Sequence, residues 1–156
     1  MKKLIILIPF LFFGCDKKND SDNGNFRKQY TGLFNFTTTK SSVGMCYDLS
    51  SDCINGWRNT ILSTKTTTSN IGLYDTNRLA IKFGNDTMGK VDNVFITQTM
   101  YPVVSLDGVL SQTNYPLGGR NFFQGYFVGL DTIIIKIELG LNGMYDKYEV
   151  KGIRKK

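Results

Sequence analysis

The sequence contains no histidine among its 156 residues. Histidine is the side chain best suited to exchange protons near neutral pH. Its absence excludes serine–histidine and cysteine–histidine catalysis, and histidine-ligated zinc sites as well. Only three prolines, three cysteines and one tryptophan occur. No segment sustains the 3.6-residue apolar period of an amphipathic helix. One unbroken apolar run is present, Leu4 to Phe13. Ten residues rise only about 15 Å as a helix, against roughly 30 Å of hydrocarbon, so the run is too short to span a bilayer. The formal charge of +6 owes much to Lys151, Arg154, Lys155 and Lys156 at the end of the chain. No patch of Lys and Arg interleaved with aromatics stands out elsewhere, so no nucleic-acid partner is expected.

What is present describes an ordinary folded domain. The chain is 41% apolar and 21% charged, within the range of globular proteins. Aromatics reach 13%, beside 16 glycines and many Thr and Asn residues. That mixture favours strands separated by turns.

The N-terminus reads as a targeting segment. Lys2 and Lys3 precede the apolar run, Pro9 interrupts it, and Gly14-Cys15 closes it. Charge, length and closing small residue fit a secretory signal. Leu11-Phe12-Phe13-Gly14-Cys15 resembles the lipobox of a bacterial lipoprotein. The resemblance implies cleavage between Gly14 and Cys15, lipidation of Cys15, and attachment of the chain to a membrane through that lipid. Loss of Lys2 and Lys3 would lower the formal charge from +6 to +4. Residues 16–25 contain no apolar side chain and cannot bury enough surface to order themselves, so they read as a flexible tether. Asp16, Lys17, Lys18 and Asp20 resemble the surface-export signal of Bacteroidota lipoproteins. The division is therefore a signal peptide at 1–14, a lipidated Cys15 with tether at 15–25, and a single β domain at 26–156. The implied location is the bacterial cell envelope, in the outer membrane, with its surface and periplasmic faces both open.

Assigning Cys15 to lipid leaves Cys46 and Cys53 as an even pair. They flank a polar loop, CYDLSSDC, and export would place them in an oxidising compartment. A Cys46–Cys53 disulfide is expected.

Alternation dominates residues 26–156. Strand candidates are Tyr30 to Thr39, Trp57 to Thr67, Arg78 to Phe83 and Val91 to Met100. Asn55-Gly56 and Leu106-Asp107-Gly108-Val109 are turn signals, and Gly84-Asn85-Asp86 is expected to turn the chain. Pro102 should end a strand or mark an edge. Near the C-terminus Phe123, Gly125, Phe127 and Gly129 share one phase, and Ile133, Ile135, Ile137 and Leu139 another. Leu130-Asp131 and Asn142-Gly143 separate these from a last strand over Tyr145 to Arg154. The reading is all-β: a single antiparallel meander of about eight strands, closed as a lipocalin-like barrel or packed as a β-sandwich.

No reaction class emerges. Glu138 and Glu149 stand among Lys136, Lys147 and Lys151, a pattern of cross-strand ion pairs rather than of acid–base chemistry. Asp48 and Asp52 lack calcium-loop spacing, and Gly118-Gly119-Arg120 lacks the rest of a phosphate loop. No enzyme activity, metal or cofactor is expected. Asp86-Thr87-Met88 and Asp131-Thr132-Ile133 resemble the Bacteroidota O-glycosylation sequon, with Thr87 and Thr132 as acceptors. Trp57, Tyr101, Tyr115 and Tyr126 lie near strand ends and are candidate contacts for a sugar or small amphipathic ligand. The expected function is a non-catalytic envelope domain that binds a small ligand, a glycan or an envelope protein. The alternative is an enzyme inhibitor or envelope-assembly factor acting through exposed loops at 41–56 and 105–121. A cavity lined by Trp57 and tyrosines would favour the first. A filled core with a projecting, disulfide-locked loop would favour the second.

Overall fold

The computed structural model describes residues 26–48, 50–91, 94–112, 122–141 and 143–156, with the side chains of 89–91 and 94–96 outside that description. A short 3-10 helix, Phe26–Tyr30, leads into ten strands. These are β1 (Gly32–Met45), β2 (Cys53–Ile54), β3 (Trp57–Leu73), β4 (Leu79–Val91), β5 (Val94–Met100), β6 (Val103–Val104), β7 (Val109–Ser111), β8 (Phe122–Val128), β9 (Thr132–Leu141) and β10 (Met144–Arg154). All pairings are antiparallel, in one sheet ordered β5-β4-β3-β1-β10-β9-β8-β7-β6, with β2 hung on β3.

The sheet curls into a half-barrel, so the chain adopts the curled single-sheet architecture rather than two stacked sheets. Its margins touch at one point. Arg78 bridges Val103, the Leu79 N–H donates to the Pro102 carbonyl, and the Val104 N–H donates to that of Asn77. β5 and β6 thus run as one broken strand along β4, interrupted at Tyr101-Pro102. Counted that way, and with β2 set aside, eight strands follow one another in chain order and the last pairs with the first.

Alternation decides what fills the interior. Phe34 and Phe36 of β1, Leu79, Ile81 and Phe83 of β4, Phe127 of β8, and Ile133, Ile135 and Ile137 of β9 are buried in one core. Gly152 of β10 lies opposite Phe36. A methyl group there would meet a Phe36 ring carbon at 2.6 Å and the Ile133 side chain at 2.5 Å. The core is therefore packed down to the backbone at this point. On the outer face, register pairs Lys147 with Glu138 and Glu149 with Lys136, the cross-strand charge pattern expected from the sequence.

One pole is plugged. Tyr30 packs on Phe127, ring centroids 4.5 Å apart, and donates its hydroxyl proton to the Leu106 carbonyl at 3.0 Å. The Arg154 guanidinium donates to the carbonyls of Gln29, Thr31 and Leu130. The plug corrects one sequence expectation: Tyr30 belongs to the 3-10 helix, and the first strand begins at Gly32. A second correction concerns Gly84-Asn85-Asp86. β4 does not turn there but runs on to Val91, with irregular register against β5 between Lys82 and Gly89.

A candidate ligand cleft and a disulfide-clamped loop

Away from the plug, the inner face changes character. Along β1 the inward positions read Phe34, Phe36, Thr38 and Lys40. Their partners on β3 are Ser69, Thr67, Lys65 and Ser63. On β10 the inward series runs from Val150 through Tyr148 to Asp146. The interior thus passes from apolar to polar along the strands, and a cleft of about 270 Å³ opens where the apolar filling stops. Thr38, Lys40, Ser63, Lys65, Asp86, Thr87, Gln98 and Tyr148 line it.

Two polar side chains lie almost fully buried here, Thr38 at 5% exposure and Gln98 at 6%. The Thr38 hydroxyl oxygen is enclosed and has no hydrogen-bond partner. A buried polar atom left unpaired in this way costs about 1–3 kcal/mol, so it calls for a partner. The Gln98 carbonyl oxygen accepts a long bond, 3.4 Å, from the Asp86 N–H. Its placement depends on Gly84, where a Cβ would fall 1.5 Å from that oxygen.

Charge enters from neighbouring strands. Lys65 bonds Asp86 at 2.6 Å, and Lys40 bonds Asp146 at 2.8 Å. Asp146 holds the Lys40 ammonium above its usual pKa, chiefly by that hydrogen bond and against partial desolvation. The same ammonium lies 5.5 Å from the centre of the Tyr148 ring. Burial pushes the Tyr148 phenol up, so the ring stays neutral and donates to the Met88 carbonyl at 2.7 Å. Each carboxylate of the cleft is thus tied to a lysine of another strand. The arrangement offers hydroxyl, amide, ammonium and an aromatic face: chemistry for binding a polar ligand.

The second feature is the segment between β1 and β3. Asn55 and Gly56 have φ of 51° and 80°, as a tight two-residue hairpin turn requires. Cys46 and Cys53 form the expected disulfide, and the Cys46 N–H donates to the Gly56 carbonyl at 3.0 Å. Arg58 draws the loop together, reaching Asp48 at 2.6 Å and Asp52 at 2.9 Å. Both carboxyls lie below their usual pKa, chiefly through the Ser50 hydroxyl, with the Arg58 contacts adding to the effect. Val43, Cys46 and Tyr145 are buried, and Trp57 meets Tyr145 edge-on. Tyr47 projects from it, 91% exposed.

The sequence-proposed ligand residues do not gather. Trp57 pairs with Met45 and shares the outer face with Tyr145. Tyr126 pairs with Ile134, also outward. The Tyr101 ring packs at a tilt against Tyr74, ring centroids 4.2 Å apart, with Arg78 over Tyr74. None of the three lines the cleft. Tyr115, Gly14 and Cys15 lie outside the described residues. Thr87 sits exposed on β4 as part of the cleft wall, not at a turn. Thr132 is the first residue of β9, just past the turn at 129–131.

Sequence reading missed Thr38, Lys40, Lys65, Gln98 and Tyr148. A usable signal existed on β1, where Thr38 and Lys40 continue the phase of Phe34 and Phe36. Among the described residues no helix is long and apolar enough to cross a membrane. Comparison with known proteins finds no matching family model, no matching curated protein and no matching solved structure.

Proposed function

We propose that this chain is a lipid-tethered, non-catalytic binding domain of the bacterial cell envelope, and that it holds a small polar ligand or glycan in the inner cleft. The buried, unpartnered Thr38 hydroxyl beside the Gln98 amide carries this reading. A ligand or water oxygen reaching the cleft floor would satisfy it. The volume, about 270 Å³, falls just under the roughly 300 Å³ at which drug-sized pockets begin, which suits one sugar ring or an equivalent.

The test is thermal unfolding with a panel of mono- and disaccharides, on wild type and Thr38→Val. A ligand present at 100 times its Kd should stabilise wild type by about 2.7 kcal/mol. Thr38→Val keeps the shape and removes the unpaired hydroxyl. Its unliganded fold should be as stable as wild type or up to about 1 kcal/mol more so. Its ligand affinity should nevertheless fall. Equal affinity in the two proteins would remove the cleft from the mechanism.

A second reading is supported by the loop. The core at the plugged pole is filled, and a disulfide-clamped segment projects Tyr47 and Ile54 into solvent, the geometry expected of a domain that docks on an envelope protein. Replacing both Cys46 and Cys53 by serine should cost about 2–3 kcal/mol in the chain-entropy account of a loop this short. Measured by urea unfolding, that loss should accompany loss of partner capture if the loop is the docking element. Sugar binding in the cleft should survive, because no cleft-lining residue belongs to the loop.

A further inference from the structure

The order of charges across the cleft is more specific than their sum. Strands β4, β3, β1 and β10 are consecutive neighbours. Thr38 of β1 lies opposite Lys65 of β3, and Lys40 lies opposite Ser63. Lys40 and Lys65 are therefore diagonal neighbours on one face of adjacent strands. Such positions stand about 7–8 Å apart, within joint reach of long side chains. The carboxylates that bond them come from the strands beyond, Asp146 from β10 and Asp86 from β4. Read across the sheet from β10 to β4, the charged groups run carboxylate, ammonium, ammonium, carboxylate. The two cations stand on the middle two strands, and Thr38, with its enclosed hydroxyl, lies two residues from Lys40 on β1 and directly opposite Lys65 on β3.

We infer that the cleft receives the acidic group of its ligand, a carboxylate, phosphate or sulfate, between the ammonium groups of Lys40 and Lys65. This rests on the ligand-binding reading of the cleft and adds the class of ligand. An anion at that position meets both ammonium groups directly, and each lysine keeps its aspartate partner from the neighbouring strand. Hydrogen bonds in which both partners are charged are the stronger kind. The Thr38 hydroxyl and the Gln98 amide give the anion neutral donors at the floor, where burial strengthens them. The phenol of Tyr148 brings no competing negative charge. A neutral hydroxyl in the same place would leave the two like charges of adjacent strands facing each other, an unfavourable pairing.

The sign of the mutant effects separates this from a merely structural role for the ion pairs. The full chain, purified in detergent, is titrated calorimetrically with glucose, glucuronate and glucose 6-phosphate. One or both acidic probes should bind at least about tenfold more tightly than glucose, the difference a single charge-assisted bond supplies. Lys40→Met and Lys65→Met should each remove most of that preference, lowering affinity for the acids by a larger factor than affinity for glucose. Asp146→Asn and Asp86→Asn break the same ion pairs but free the lysines, so they should tighten binding of the acid. If both members of a pair shift affinity in the same direction, the lysines act only by holding the wall, and the inference falls. Equal binding of glucose and both acids would overturn the anion inference while leaving the ligand cleft in place. No binding of any probe at millimolar concentration would overturn both.

Discussion

Phe36→Ala is expected to destabilise the domain by about 3–5 kcal/mol, the cost of emptying a fully packed aromatic site. Phe36 is completely buried, with Phe34 and Phe83 at ring-centroid distances of 6.0 and 6.5 Å. On the β10 side it faces a glycine, Gly152, so no side chain of that strand can relax into the space. Domains of this kind have a total stability of about 5–15 kcal/mol, and the change would consume much of it. Gly152→Ala should approach the same site from the other direction. Its methyl group would push on Phe36 and Ile133 at 2.6 and 2.5 Å, an overpacking that costs about 1–3 kcal/mol. The double variant is the sharper measurement. A methyl at 152 projects into the space Phe36→Ala vacates, so the two losses should fall short of their sum by more than about 0.5 kcal/mol. Urea unfolding of the three variants decides it. A loss below about 1 kcal/mol for Phe36→Ala would mean the interior is loosely filled and the half-barrel is held by its strand pairing instead.

The features that were legible in the sequence are those in which one face is apolar and the other is not. Ile133, Ile135, Ile137 and Leu139 announce their strand and their buried face without ambiguity, and both follow. Leu79, Ile81 and Phe83 do the same. Turn chemistry was equally plain at Asn55-Gly56, where only residues tolerant of positive φ fit. The cleft was hidden because it consists of places where alternation is broken from within. An inward Thr38 or Lys40 looks like any outward polar residue until the phase set by Phe34 and Phe36 is extended past them, and Lys65 likewise until the phase of Ile71 on β3 is followed down to it. Trp57 shows the converse error. Inward positions on β3 run Ile71, Ser69, Thr67, Lys65 and Ser63, and continuing that phase would bring Trp57 inside. The register against β1 instead slips by one residue between Lys40 and Ser41, with Leu62 the extra residue. A one-residue slip transfers every later side chain to the other face, and Trp57 packs on Tyr145 outside. Nothing in the local sequence of β3 marks that bulge; it is fixed by pairing with β1.

Cys15→Ser is expected to move the protein almost entirely from the membrane fraction to the soluble fraction. If Cys15 carries the anchor, affinity for the bilayer comes from acyl chains at about 0.8 kcal/mol per buried methylene, and several chains make attachment effectively permanent. Removing the sulfur removes all of them at once. Residues 16–25 are polar throughout and add little attraction of their own. The fold indicates what should not change. The described chain begins at the 3-10 helix, Phe26–Tyr30, on the plugged pole that Tyr30 and Arg154 hold shut. Thr38 lies six residues beyond the start of β1, about 20 Å further along the strand. Ten tether residues reach at most about 35 Å, and they attach at the end from which the cleft is furthest. If the chain is anchored through Cys15, the point of attachment lies at the pole away from the cleft, and anchoring and recognition are separate physical problems. The released Cys15→Ser protein should therefore bind the cleft's ligand with the affinity of the anchored form. Fractionation followed by titration of both forms measures the two claims independently. Retention of the mutant in membranes would refute the lipid anchor. Release with weakened binding would show instead that the bilayer, or residues near the tether, take part in the site.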